Sequence, residues 1–179
     1  MRLFIHSIIV IALSIFIISC DSSSEKEELI GIGLNSKVSE CGGFTETKSI
    51  VKTLDEETSC NDMLNWNYNS ETKVLSLQND NVGLNCCGIH SITAEKIDNK
   101  YIVTEIDKSE NGARCGCMCT FSFAVEIPNV ENESINLVLK RNIEENEETE
   151  TPLETTIDLT QNSGSIIIQE QSGFVCGGK

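Results

Sequence analysis

The residues best equipped for chemistry in this 179-residue chain are its nine cysteines, above all the pair Cys86-Cys87 and the run Cys115-Gly116-Cys117-Met118-Cys119. Thiols at this density close disulfides, ligate soft ions such as zinc or Cu(I), or exchange electrons. A redox pair usually sits as Cys-x-x-Cys at a helix N-terminus, and the chain has no Cys-x-x-Cys. In residues 115–127 every odd position is cysteine or a large apolar residue: Cys115, Cys117, Cys119, Phe121, Phe123, Val125 and Ile127. That period of two reads as one strand with a single thiol-and-core face. Residues i and i+2 on such a face lie about 6.6 Å apart, whereas a disulfide brings Cβ atoms to about 3.8 Å. Sulfurs sharing a zinc ion also approach to about 3.8 Å. Cys115, Cys117 and Cys119 are therefore expected not to bond one another. Each takes a partner from Cys41, Cys60, Cys86, Cys87 and Cys176, and the remaining two bond by default. Cys86, on the same face as Val82 and Leu84, is the favoured partner for one of them. Structural disulfides are the expected reading and no metal ligand is assigned. A thiolate metal site built from Cys86, Cys87 and the triple is the alternative.

Other polar candidates point to no catalyst. His90 is the one histidine left once residues 1–19 are removed, and it reads as a strand-end residue beside a disulfide rather than as a base for Cys87. Glu95 and Glu105 read as like charges on the solvent face of a hairpin rather than as a glycosidase pair. Trp66, Tyr68 and Tyr101 read as core or cross-strand packing rather than as a sugar-binding patch. Gly31-Ile32-Gly33 lacks the third glycine, the preceding strand and the following helix of a dinucleotide fingerprint. No Gly-x-Ser-x-Gly, phosphate loop or His-Glu-x-x-His occurs. No catalytic residue, enzyme activity or cofactor is expected.

The N-terminus carries the compartment signal. One cation, Arg2, precedes an apolar run over residues 3–18, which as a helix covers about 24 Å, short of a bilayer core. A run of this length ending in small residues reads as a secretory leader. Its end, Ile17-Ile18-Ser19-Cys20, resembles the lipobox of bacterial lipoproteins, whose cysteine is acylated and becomes residue one. That resemblance implies a membrane partner through lipid on Cys20, a palmitate-type anchor that holds stably when several chains are attached. Asp21 after it resembles an inner-membrane retention signal of enterobacterial lipoproteins, and Lys26-Glu27-Glu28 resembles a surface-export signal of Bacteroidota. Both leaflets stay open. Removing residues 1–19 takes one arginine and no acid from the formal charge of −15, leaving −16. So negative a chain repels nucleic acid and anionic lipid faces. The acids Glu144, Glu145, Glu147, Glu148 and Glu150 read as a solvated loop, without calcium-hand spacing. A protein or glycan partner is compatible with this surface.

The elements that must position these residues read as strands. Residues 20–38 are expected to be a lipidated flexible tether and 39–179 a single β-domain, long enough for one core. Leu64, Trp66 and Tyr68 alternate with asparagines, Asn69-Ser70-Glu71-Thr72 turns, and Val74, Leu75 and Leu77 return. A break at Asn79-Asp80-Asn81 precedes Val82, Leu84 and Cys86. Residues 91–97 and 100–106 flank the turn Asp98-Asn99. Ile135, Leu137 and Leu139 mark a further strand, and residues 155–160 and 165–170 a last hairpin. Residues 47–57 suit a helix as well as a strand. About nine short strands predict an all-β antiparallel sandwich or partly closed barrel, stapled by disulfides.

Asn85-Cys86-Cys87, the hairpin with Thr104-Glu105 on its return strand, and Cys115-x-Cys117-x-Cys119 running into Phe121, Phe123 and Glu126-Ile127-Pro128-Asn129 resemble a group of small bacterial lipoproteins. The similarity spans roughly residues 60–130. It implies a disulfide-stapled β-architecture in the bacterial cell envelope, facing the periplasm or the cell surface, and assigns no site.

Overall fold

Among the described residues, alternation between core and solvent on most of nine strands builds two stacked sheets. The computed structural model describes residues 31–44, 61–110, 112, 114–131, 133–144 and 149–170. Its strands are β1 (Leu34–Val38), β2 (Asp62–Asn69), β3 (Val74–Asn85), β4 (Gly88–Ile97), β5 (Lys100–Ser109), β6 (Met118–Ile127), β7 (Ser134–Ile143), β8 (Glu150–Asp158) and β9 (Ser163–Gln169). One sheet has the order β1-β6-β3-β2-β9 and the other β4-β5-β7-β8. The sheets face each other as a sandwich and do not close into a barrel. Among the described residues there is no helix, and the ambiguous stretch 47–57 lies outside them.

Local chemistry explains the turns. The Asn69 carboxamide oxygen accepts from the backbone N–H of Glu71 and of Thr72, both at 3.0 Å, and folds β2 back onto β3. Asp98 takes the left-handed conformation, φ 54°, that the two-residue turn between β4 and β5 requires. The polar break inside β3 is a bulge rather than a turn. Register shifts between Asn79 and Val82, with Asn81 at φ 62°. The extra length changes the parity, so Leu75, Leu77 and Asn79 face inward before it and Val82 and Leu84 after it. A single 12-residue strand thus buries two apolar runs of opposite parity.

Five expectations are corrected. β1 lies within the stretch expected as tether and pairs with β6, so the domain takes in residues before 39. Strand β6 begins at Met118, and Cys115 to Cys117 precede it in irregular backbone. The sheets are not wholly antiparallel, since β5 and β7 pair in parallel, β6 between them in sequence having crossed to the other sheet. The last two strands are no hairpin: β8 pairs with β7 in one sheet and β9 with β2 in the other. Glu150, expected in the acidic loop, sits in β8 together with Pro152, on an edge strand where a missing N–H does no harm.

The core lies between the sheets, with Phe123, Leu75, Leu137 and Ile127 fully buried. Tyr68 and Tyr101 are buried in it and Trp66 packs against it, as the core reading of these aromatics expects. Gly164 pairs with Trp66 across β2 and β9, and a Cβ at Gly164 would run into the indole ring. Gly164→Ala is therefore expected to cost about 1–3 kcal/mol through forced repacking. Urea unfolding followed by the fluorescence of the one tryptophan in the chain checks this, with displaced indole emission in the variant.

Candidate functional site

The described cysteines come together at one end of β6. Cys41 is bonded to Cys119, Cys86 to Cys117 and Cys87 to Cys115. Each member of the triple takes a partner from elsewhere in the chain, and Cys86 serves one of them. Cys20, Cys60 and Cys176 lie outside the described residues. The spacing argument holds in its outcome but not at Cys115 and Cys117, which are off the strand. Freed from the pleat, their sulfurs and that of Cys87 all lie within 4.8 Å of one another.

Asn85, the last residue of β3, frames this cluster. Its carboxamide nitrogen donates to the Cys115 carbonyl at 2.7 Å, while its oxygen accepts from the N–H of Cys87 at 3.0 Å and of Cys115 at 3.3 Å. The Cys86 N–H donates to the Cys117 carbonyl at 3.3 Å. None of these bonds uses sulfur. Cys87 and Cys117 are exposed, and Cys86 and Cys115 half-buried.

Beneath the cluster, Arg114 ties the cysteine-bearing loop to β5. It donates through Nη1 to Asp107 Oδ1 at 2.6 Å and through Nη2 to the Asp107 carbonyl at 3.1 Å. His90 points inward from β4, its ring 4.2 Å from that of Phe121. Burial pulls its imidazole below the ordinary histidine range against the pull of Asp107, 3.3 Å away. A neutral, packed ring with no sulfur partner in this arrangement is a core histidine.

Sequence reasoning missed a second polar group, in the middle of the sandwich. Arg141 on β7 donates through Nε to Glu105 Oε2 at 2.9 Å and through Nη2 to Asp62 Oδ2 at 2.9 Å, and Asn79 donates to Glu105 Oε1 at 2.7 Å. All four residues are buried. Glu105 is thus a core residue opposite Ile92, and Glu95 pairs with Ile102, so the two acids do not share a solvent face. Burial outweighs the guanidinium and holds the carboxyls of both Asp62 and Glu105 above their usual range. Burial opposes the charge on Arg141 too, but Glu105 and Asp62 outweigh it and hold the guanidinium charged. Asp62 Oδ1 and Asn79 Oδ1 are buried without a hydrogen-bond partner. Parity was the available signal. Asp62 continues the inward series of Leu64, Trp66 and Tyr68, Glu105 that of Tyr101 and Val103, and Arg141 that of Ile135, Leu137 and Leu139.

The third feature is an open groove of about 520 Å³ on the outer face of the five-stranded sheet, lined by Lys37, Asn65, Asn67, Ser76, Gln78 and Glu126 among others. Its acids are already engaged. Asp80 accepts from Asn65 at 2.9 Å and from Gln78 at 3.0 Å, and Glu126 accepts from Asn35. Those bonds, donated by the amide nitrogens, hold the amide planes in place, a surface suited to hydrogen-bonding contact.

No protein-family model, no curated protein and no solved structure matches this chain.

Proposed function

We propose that this chain is a lipid-anchored protein of the bacterial cell envelope, whose non-catalytic, disulfide-stabilised β-sandwich acts as an interaction or structural module. One observation carries the reading: six described cysteines are joined as three disulfides at one end of strand β6. Such bonding belongs to an oxidising compartment. The leader and Cys20 supply the route and the anchor, and the amide-lined groove supplies a contact face for a protein or glycan. Protein isolated from its native envelope is expected to partition into detergent, to incorporate labelled palmitate, and to show no free thiol after denaturation. Cys20→Ala abolishes labelling and releases the protein. Unlabelled wild-type protein, or several free thiols in it, overturns the reading.

A second reading, thiolate metal handling, is favoured by the Cys117 sulfur, which lies within 4.8 Å of both sulfurs of the neighbouring Cys87–Cys115 bridge.

A further inference from the structure

We infer that Cys87, Cys115 and Cys117 form a Cu(I) site that opens when the Cys86–Cys117 and Cys87–Cys115 bridges are both reduced; the inference rests on the second, metal-handling reading. Cys87 and Cys115 are bonded to each other, and the Cys117 sulfur from the other bridge lies within 4.8 Å of both, near the separation of about 3.8 Å that neighbouring thiolates adopt around a shared ion. Once the bridges are reduced, side-chain rotation lets the Cys87 and Cys115 sulfurs part to that spacing.

The backbone frame does not depend on the bridges. The Asn85 carboxamide contacts to Cys87 and Cys115, the Cys86-to-Cys117 backbone bond and the β3–β6 pairing of Leu84 with Cys119 and Asn85 with Met118 all survive loss of the S–S bonds. The sulfurs therefore stay in one place after reduction. Exposure of Cys87 and Cys117 gives a reductant access to one sulfur of each bridge.

The choice of ion follows from the number and type of ligands. Structural zinc takes four ligands, whereas the Cys86 sulfur, though bonded to that of Cys117, is not within 4.8 Å of all three, and His90 is packed against Phe121. Cu(I) selects soft thiolate sulfur, and as a closed-shell monovalent ion it is satisfied by three.

Each bridge accepts two electrons and two protons from a dithiol reductant, which leaves as its own disulfide. Two reductant molecules thus give four thiols. Cu(I) then displaces the protons of Cys87, Cys115 and Cys117, and Cys86 remains a thiol. A disulfide oxidant reverses the process, remaking both bridges and expelling the ion with its oxidation state unchanged.

The test uses the full mature chain. Oxidised protein and protein reduced anaerobically with dithiothreitol are each challenged with Cu(I) held by a chromophoric competing chelator, and separately with Zn(II), while circular dichroism follows the strands. The reduced protein is expected to withdraw one Cu(I) per chain and the oxidised protein none. Cys117→Ser and Cys87→Ser lower retention at least tenfold, whereas a Cys41→Ser/Cys119→Ser double variant, which lacks only the remote bridge, retains the ion. Failure to hold Cu(I), or equal retention by Cys117→Ser, overturns the inference. Stoichiometric Zn(II) without Cu(I) overturns the copper assignment and leaves the metal-handling reading standing. Binding of neither ion overturns both.

Discussion

Arg141→Ala is expected to cost the fold about 3–5 kcal/mol, while Asp62→Asn, which touches the same buried group, costs less than about 1 kcal/mol or stabilises. The asymmetry follows from counting charges. One guanidinium faces two carboxyls in a space that water does not reach, with Arg141 within 2.9 Å of both. Removing the cation leaves Glu105 and Asp62 buried with no countercharge. Replacing Asp62 by asparagine leaves one cation with one anion. The asparagine oxygen keeps the Arg141 bond, and its NH2 takes the place of Asp62 Oδ1, which now has no partner. Urea midpoints for the two variants at neutral pH check the pair, and equal losses would sink the argument.

The same group has a pH signature. An acid whose folded pKa lies above its unfolded value holds more protons in the folded state. Its stabilising contribution is complete below the ordinary carboxylate range and is lost as pH rises through the folded pKa. Burial shifts both Asp62 and Glu105 in this direction. Acidification from neutrality therefore relieves an uncompensated negative charge in the core. The difference between Asp62→Asn and the parent protein is expected to be largest at neutral pH and to vanish once Asp62 is protonated in both folded and unfolded chains.

Strand existence was readable wherever apolar alternation was long, as in β2, β4, β5, β6 and β7. What alternation cannot encode is the partner of each strand. Residues 155–160 and 165–170 look like a hairpin because a polar turn separates two periodic runs. The four residues between β8 and β9 instead carry the chain from one sheet to the other. The same limit hid the parallel pairing of β5 with β7, which depends on β6 leaving for the other sheet. The buried charge group escaped for a different reason. Its members lie on four strands, and a lone Glu, Asp or Arg at a strand end is usually solvated. Only the inward parity of Asp62, Asn79, Glu105 and Arg141, taken together, marks them as facing one another. At the cysteines the error was one of extent. Periodicity carried the strand to Cys115, but Gly116 and the bridges to Cys86 and Cys87 accompany irregular backbone there, so a strand-based distance could not apply.

Removing the Cys41–Cys119 bridge by paired alanine substitution is expected to cost about 4 kcal/mol, whereas removing Cys87–Cys115 alone costs about 2 kcal/mol. The difference is topological. Cys41 and Cys119 are 78 residues apart, and even with the Cys86–Cys117 bridge as a short cut the loop they close spans roughly 50 residues. The two neighbouring bridges join the same pair of segments, with separations of 31 and 28 residues. Once one is closed, the other confines only a ring of a few residues, so each is largely redundant while its neighbour stands. Loss of both frees the unfolded chain across the whole length of the β4 and β5 segment and is expected to cost about 5 kcal/mol or more, above the sum of the single losses, with the native pairing of the hairpin unchanged. Guanidinium unfolding of the four variants, each mapped for its remaining disulfides, reads these values directly. Equal and additive losses at all three bridges would mean that they act through native packing rather than through the unfolded chain. Redundancy of this kind also means that one of the paired bridges can open while its neighbour and the remote Cys41–Cys119 bridge still hold the frame.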